Sequence, residues 1–288
     1  MNILVFGETG QLARELARRG GGDQMTFLGR DRADFADPAA CAARVTESGA
    51  DAVINAVAYT GVDTAETHEA LATTINATTP GAIALACAAR GLPLVHVSTD
   101  YVFDGAGDAP FAPDHAAAPL GAYGRSKLAG EVAVRAAGGV HAILRTSWVV
   151  SAHGANFVKT MLRLGGMRDR LSIVADQVGG PTPARDLAAA CIGVARGLSA
   201  DAAKSGTYHF AGYPDVSWAD FARAIFDQAG LACAVADIPS SDYPTPARRP
   251  LNSRLDCSET ETVFGIKRPD WRVSLRAILN ELGALQDG

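Results

Sequence analysis

The chain has 288 residues, of which 48% are hydrophobic and 20% charged, and its formal net charge is −5 at pH 7. This composition supports a full hydrophobic core and excludes a disordered chain. The acidic balance argues against nucleic acid as a partner, because nucleic-acid-binding proteins carry a basic excess. Five cysteines without C-x-x-C or metal-type spacing indicate a reduced compartment. With no leader pattern and no apolar run of membrane-spanning length, we predict a cytoplasmic protein with no membrane partner.

The first elements in chain order are an apolar strand at 3–6, a glycine turn, and a helix in which Leu12 and Leu16 recur at helical spacing. Further apolar runs alternate with alanine-rich helical stretches, the runs at 25–28, 52–58, 92–98 and 140–146 and the helices at 71–90 and 126–137. This alternation predicts an α/β fold with a doubly wound parallel sheet of the Rossmann type.

The regular alternation weakens after Trp148. The pattern there predicts helices at 156–164, 184–197, 218–230 and 273–282, a strand at 171–174, a Pro/Gly turn at 179–183 and a Pro-rich run at 243–250. We therefore expect a dinucleotide-binding domain at 1–150, with part of 151–200 completing the sheet, and a smaller substrate-binding lobe over 200–288.

The glycine turn is the candidate phosphate site. In Gly7-x-x-Gly10-x-x-Ala13 the glycines allow a tight turn and close approach of a pyrophosphate, and the small third residue lets the helix pack on the strand. A glycine turn of this kind also occurs without any ligand. At the end of the second strand, Arg30 and Arg32 favour the 2′-phosphate of NADPH, although Asp31 between them leaves NADH open. The alternative for either arginine is a solvated loop charge.

The candidate catalytic residues are a tyrosine and a lysine on one helix. Reduction of a ketone requires a hydride on carbon and a proton on oxygen, and Tyr123 is the predicted proton donor. Lys127 lies one helical turn away, and we expect its ammonium group to lower the pKa of Tyr123. Thr99, in Ser98-Thr99-Asp100 after an apolar strand, is the choice over Ser98 for orienting the carbonyl. The structural alternative is a capped turn beside an exposed helix face.

These motifs occur together in an order that resembles the extended short-chain dehydrogenase/reductase family, from residue 2 to about residue 271. The resemblance is carried by Gly10-Gln11-Leu12, Ser98-Thr99-Asp100-Tyr101-Val102-Phe103, Tyr123-Gly124, Lys127-Leu128-Ala129-Gly130-Glu131, Arg145-Thr146-Ser147-Trp148-Val149 and Arg249-Pro250-x-Asn252-Ser253-Arg254-Leu255. It implies reduction, with NADPH, of the C4 ketone of dTDP-4-dehydro-6-deoxy-L-mannose to dTDP-L-rhamnose for cell-surface polysaccharide.

The same resemblance implies which residues meet the ligands. Beside Gly7 and Arg30, the dinucleotide would contact Gly10, Gln11, Leu12, Asp34, Phe35, Ala58, Tyr59, Thr60, Val97, Tyr123 and Lys127. Thr99, Asp100 and Trp148 would contact the substrate, the indole packing against the deoxysugar. Positive charge for the nucleoside diphosphate would come from three arginines in and after the Pro-rich run, accompanied by the polar Asn252. The arginines are Arg248, Arg249 and Arg254. The alternative for these arginines is solvation or pairing with a carboxylate such as Asp256.

Some members of the family dimerise around magnesium held by surface glutamates. Glu15 fits one such position, but Arg185 stands where a further glutamate is expected. The sequence therefore argues against metal-dependent dimerisation, and we predict no metal in the chemistry and a monomer or homodimer.

Two other functions stay open at this level. One is a reductase or epimerase of another nucleotide-linked keto sugar, because the motifs specify the chemistry better than the sugar. The other is a non-catalytic subunit that keeps the cofactor pocket, and the intact Tyr123/Lys127 pair counts against it.

Overall fold

The computed structural model describes residues 1–285. Its strands are β1 (Asn2–Phe6), β2 (Gln24–Leu28), β3 (Ala52–Asn55), β4 (Leu94–Thr99), β5 (His141–Thr146), β6 (Val149–Val150), β7 (Arg170–Val174), β8 (Val178–Gly179), β9 (Thr182–Pro183), β10 (Gly206–His209), β11 (Val216–Ser217), β12 (Ala234–Ile238) and β13 (Asn252–Ser253). Its helices are α1 (Gln11–Arg19), α2 (Pro38–Glu47), α3 (Val62–Ala65), α4 (Glu69–Thr73), α5 (Thr79–Arg90), α6 (Ala122–Ala136), α7 (Phe157–Gly165), α8 (Ala184–Ala200), α9 (Trp218–Gln228), α10 (Ser258–Phe264) and α11 (Trp271–Glu281).

The main sheet has the strand order β10-β5-β4-β3-β1-β2, and its neighbouring strands are parallel. Successive side chains of strand β1 point to opposite faces of the sheet, and helices cover both faces. Ile3 and Val5 pack in a core with α1 and α8, whereas Leu4 and Phe6 pack in a core with α2 and α5. The predicted doubly wound α/β fold is confirmed. All the carboxyl ends of these strands consequently meet at one edge, where ligands bind in such sheets.

Three elements differ from the sequence-based expectation. The predicted helix at 71–90 is interrupted by a π-helical turn, Thr74–Thr78, between α4 and α5. Helix α2 was not predicted, although Asp37 caps it by accepting from the Ala40 amide and Pro38 occupies its first turn. The last strand of the sheet, β10, lies beyond residue 200, outside the stretch expected to complete it. The division into two domains stays a prediction.

A separate apolar cluster lies away from the sheet. It is built from α7, α9 and α11 together with the parallel pair β7 and β12, and its buried members include Met161, Phe221 and Trp271. This cluster contains residues from both 150–173 and 216–285. The segment between them, including α8 and β10, packs instead in the core of the main sheet.

One helical run, Glu69–Arg90, is long and apolar enough to cross a membrane by length and composition, contrary to the expectation from the sequence. Half of its most apolar window is buried inside the protein, as the core helix of a globular domain would be. The run packs against α2 and α6 and contacts strand β4 of the sheet.

Candidate active site

A cleft of about 930 Å³ lies at the carboxyl edge of the main sheet. Most of the predicted site residues line it, namely Gly7, Gly10, Gln11, Leu12, Arg30, Asp34, Phe35, Ala58, Tyr59, Thr60, Val97, Thr99, Asp100, Tyr123, Lys127 and Trp148. They come from the ends of β1 to β5 and from α6. Residues scattered over almost 150 positions therefore share one cavity, large enough for a dinucleotide and a second ligand.

The glycine turn at the start of the cleft is shaped for a phosphate. Gly7 has φ +108°, which favours glycine, and its amide donates to the Leu28 carbonyl at 2.9 Å. Gly10 precedes α1 without a side-chain cap, and a Cβ there would meet no atom within 4 Å. The first amides of α1 thus keep their donors for an anion, and the turn fits the diphosphate of a dinucleotide.

The side chain of Gln11 is already committed within the protein. Its amide donates to the Val149 carbonyl, and its carbonyl oxygen accepts from Ser151 at 2.8 Å and Asn156 at 2.9 Å. Gln11 therefore ties α1 to the segment after β5.

The two arginines after β2 behave differently. Arg30 lines the cleft with 86% of its side chain exposed, and its Nε lies 3.6 Å from the Asp34 carboxylate. Arg32 instead turns back and donates to the Phe27 carbonyl. Arg30 is consequently the cation that could meet a 2′-phosphate.

The backbone after β3 is held by a residue that the sequence reasoning missed. Asn76, fully buried in the π-helical turn, accepts from the Tyr59 amide at 2.8 Å and donates to the Tyr59 carbonyl at 3.1 Å. It also lies 2.9 Å from the Ser126 hydroxyl on the helix that carries Tyr123. An asparagine inside an alanine-rich helix was the available signal, because buried amides are hydrogen-bonded.

Tyr123 and Lys127 meet the end of β4 from α6. The Lys127 ammonium, 1% exposed, donates to the Val97 carbonyl at 2.7 Å, and burial lowers the pKa of Lys127 to about 8. Burial raises the pKa of Tyr123 to about 12, against the lowering effect of a hydrogen bond with Thr99. The net shift is opposite to the lowering expected from Lys127, because removal from water outweighs the hydrogen bond with Thr99. The phenol stays protonated at neutral pH.

Ser98 and Thr99 have separate tasks although they are adjacent. The Ser98 hydroxyl donates to Glu131 at 2.7 Å, deep in a buried ion pair in which Arg145 binds the same carboxylate through Nε and Nη2. Although burial opposes it, Arg145 holds the pKa of Glu131 below its usual range. Thr99 caps the following turn by accepting from the Tyr101 amide at 3.2 Å, and it also lies beside Tyr123 in the cleft.

Asp100 brings a buried carboxyl group to the same place. Its Oδ1 accepts from the Thr99 hydroxyl at 3.0 Å, and within residues 1–285 its Oδ2 has no hydrogen-bond partner that meets strict geometry. Burial raises the pKa of Asp100 to about 6, while contacts from Ser253 and Thr99 lower it. An incompletely bonded buried carboxyl in a cleft is suited to binding a hydroxyl of a ligand.

Trp148 follows β5 with φ +47°, an uncommon value for a residue other than glycine. Its ring stacks on Trp218, with 3.5 Å between ring centroids and 11° between planes. Both indoles line the cleft, so the predicted Trp148 platform is backed by a second aromatic ring from α9.

The four residues predicted to meet the nucleoside diphosphate, Arg248, Arg249, Asn252 and Arg254, do not line the cleft. Arg249 forms a two-pronged ion pair with Asp63, at 3.1 and 2.8 Å, rather than with Asp256. Asn252 is buried, donates to the Ala109 carbonyl at 2.8 Å and accepts from Arg254. The prediction placed both on the ligand because it considered their charge and polarity and not their partners inside the fold.

A group of possible metal ligands lies outside the cleft. Ligand atoms of Glu15, His153 and Glu281 lie within 4.8 Å of one another. However, the Arg18 guanidinium lies 2.6 Å from Glu281 and already neutralises it, and Arg185 lines the same pocket. Magnesium prefers an all-oxygen shell, so these residues do not fit the ion that the family resemblance implied.

Comparison with known proteins places this geometry in context. The family described as RmlD substrate binding domain matches residues 1–284. The chain is 42% identical to the dTDP-4-dehydrorhamnose reductase of Sinorhizobium fredii over 97% of both chains, and 41% identical to that of Escherichia coli K12 over 98% of both. It is similar to the solved dTDP-4-dehydrorhamnose reductase of Clostridium acetobutylicum, with TM-score 0.91, 35% identity and 98% and 100% of the two chains covered. It is also similar to the solved dTDP-4-dehydrorhamnose reductase of Bacillus anthracis in complex with NADP, with TM-score 0.90 and 32% identity. That match covers 97% of this chain and 99% of the other.

Proposed function

Because this chain belongs to the RmlD substrate binding domain family, we propose that it reduces dTDP-4-dehydro-6-deoxy-L-mannose to dTDP-L-rhamnose with NADPH. The observation that carries the proposal is the meeting of Tyr123, Lys127 and Thr99 in one cleft with the glycine turn. Relatives about 40% identical over nearly the whole chain bear the name of this reductase. The cytoplasm is the proposed location, supported by five cysteines that are all free and buried.

The side chains divide the work of the reduction. NADPH supplies the hydride to C4 when bound. Tyr123 donates its phenolic proton to the ketone oxygen. With the hydride on C4 and this proton on the oxygen, the carbonyl becomes a secondary alcohol. The Thr99 hydroxyl orients that oxygen against the phenol, and Asp100 binds the sugar beside it. Lys127, bonded to the Val97 carbonyl, would hold the nicotinamide ribose when the cofactor is bound, and it provides positive charge near Tyr123.

The remaining proposed contacts follow the cleft outward. The amides of α1 would hold the diphosphate of the cofactor, Arg30 would meet its 2′-phosphate, and the backbone around Tyr59 would contact the cofactor. Trp148, supported by Trp218, packs on the apolar face of the deoxysugar.

The test is the fall in NADPH absorbance when the purified protein is given enzymatically prepared dTDP-4-dehydro-L-rhamnose, with NADH as a parallel cofactor. Oxidation of NADPH with formation of dTDP-L-rhamnose is the expected result. Binding of NADPH without its consumption would refute the proposal, and product stereochemistry would separate this reductase from one acting on another keto sugar.

A further inference from the structure

We propose that Glu8 is a specificity-determining residue for the cofactor: its carboxylate binds the hydroxyls of the adenosine ribose and repels a 2′-phosphate. It thereby offsets part of the preference for NADPH that Arg30 provides. The inference rests on the proposed function of the cleft. It concerns the point where the glycine turn, which contains Glu8, meets the end of β2.

The end of β2 lacks an acidic side chain. In many dinucleotide-binding sheets an acidic residue about 20 positions after the glycine turn accepts a hydrogen bond from the ribose 2′-hydroxyl. In this chain the residue directly after β2 is the buried Gly29, which has no side chain to offer. The Gly7 amide donates to the carbonyl of the preceding Leu28 at 2.9 Å, so the glycine turn lies beside this position.

The Glu8 carboxylate occupies the space that the missing side chain leaves. A Cβ placed on Gly29 would collide with Glu8 Oε2 and would lie 3.5 Å from Glu8 Cδ. The carboxylate therefore lies over Gly29, where an acidic side chain of the strand end would begin. The carboxylate next to the ribose position comes from the glycine turn instead of from the strand.

Glu8 is also the acidic residue of the cleft that is left to meet a ligand. Three carboxylates line the cleft, those of Glu8, Asp34 and Asp100. Asp34 lies 3.6 Å from Arg30 Nε. Asp100 accepts from Thr99 at 3.0 Å, next to the proposed catalytic group. The Glu8 side chain is exposed, and within residues 1–285 no hydrogen bond or ion pair holds its carboxylate.

The charges at this end of the cleft weaken its attraction for a 2′-phosphate. Arg30 is the cation that lines it, since Arg32 turns back to the Phe27 carbonyl. The carboxylates of Glu8 and Asp34 oppose this one positive charge with two negative charges. A phosphate adds about two more negative charges, whereas a ribose hydroxyl adds none and can donate to a carboxylate. Glu8 thus acts in opposite directions on the two cofactors.

The experiment measures the Kd of NADPH and of NADH by nicotinamide fluorescence, without the sugar, for the wild-type protein and E8Q. The NADPH Kd should fall about threefold because the repulsion disappears, within the range of exposed charge pairs. The NADH Kd should rise about twofold, because a neutral acceptor makes a weaker hydrogen bond. A role in packing alone would move both Kd values in the same direction. High salt should reduce the effect on NADPH, because it screens exposed charges.

The matched control is D31N. Asp31 Oδ1 lies 2.7 Å from the same Cβ position on Gly29, but Asp31 does not line the cleft, so its loss should leave the NADH Kd unchanged. The double variant E8A/G29D returns the carboxylate to the strand end and should restore the NADH Kd that E8A loses. An unchanged ratio of the two Kd values in E8Q, or an equal rise of the NADH Kd in D31N, would overturn the inference. Should the protein bind both cofactors without reducing the sugar, the proposed function fails, and the Kd values still decide the inference.

Discussion

The floor of the cleft and the loop that carries Arg249 are built on different principles; we call this loop the rim because Arg249 pairs with Asp63, next to the cleft-lining Val62. The floor, at the ends of β4 and β5 and on α6, fixes its polar groups by burial: Lys127 is bonded to the Val97 carbonyl, and Glu131 is enclosed by Arg145 and Ser98. On the rim, Arg249 is about a quarter exposed and meets a carboxylate from α3. Groups on the floor are oriented before any ligand arrives, whereas the rim arginine is held by a contact between its loop and α3.

This difference explains what the floor can do at neutral pH. Removal from water keeps the Tyr123 phenol protonated and brings the pKa of Lys127 down to about 8. A protonated phenol is what a reductase requires as proton donor, and a lysine with a pKa of about 8 is still mostly an ammonium at pH 7. On the rim, Asp63 raises the pKa of Arg249 although burial opposes it, and Arg249 lowers the pKa of Asp63, so both groups stay charged at neutral pH.

The largest expected effect comes from the floor. Tyr123→Phe removes the proton donor but keeps the ring that packs edge-on against Tyr101, so the fold should be retained. We expect kcat to fall by about 10²–10⁴-fold, the usual contribution of a positioned general acid. Steady-state NADPH oxidation measures the loss, and an unchanged NADPH Kd is the control. A variant with wild-type kcat would remove Tyr123 from the chemistry.

The pH dependence of the floor is set by Lys127. Burial places its pKa at about 8, below the ordinary value of 10.5, so the free enzyme loses this positive charge as the pH rises through about 8. The plot of kcat/KM for NADPH should therefore fall above about pH 8, approaching tenfold per pH unit, since this parameter reports groups of the free enzyme. Lys127→Arg, although less active, should show no such fall. A decline that persists in that variant would have to come from another group.

The sequence predicted the residues of the floor better than those of the rim. Strand ends in a parallel sheet and a four-residue helical spacing determine where side chains go, so the cleft lining at Gly10, Thr99, Tyr123 and Lys127 was predictable. Arg249 and Asn252 depended on partners more than 140 positions away, Asp63 and Ala109, and no local pattern encodes such pairs. Asn76 escaped for a related reason, because a π-helical turn carries no recognised residue pattern.

The rim offers a smaller test of its own. If Arg249 acts by holding the Pro-rich segment to α3, then Arg249→Ala and Asp63→Ala should each raise KM for the sugar nucleotide by no more than about fivefold, the range of a partly exposed ion pair. The double variant should be no worse than either single one. Steady-state kinetics of the three variants measures this. A much larger effect of Arg249→Ala alone would mean that the guanidinium leaves Asp63 to bind the diphosphate.

The smallest expected effect concerns the cofactor end, which shares the exposure of the rim. Arg30 is exposed and only 3.6 Å from Asp34, so its attraction for a 2′-phosphate is screened by water and partly neutralised. Arg30→Ala should raise KM for NADPH about threefold and leave KM for NADH unchanged. Arg32→Ala is the matched control, because Arg32 donates to the Phe27 carbonyl and should not alter the ratio of the two KM values. An equal rise for NADPH and NADH in Arg30→Ala would show that Arg30 does not read the 2′-phosphate, and preference for NADPH would then have to come from the backbone after β2.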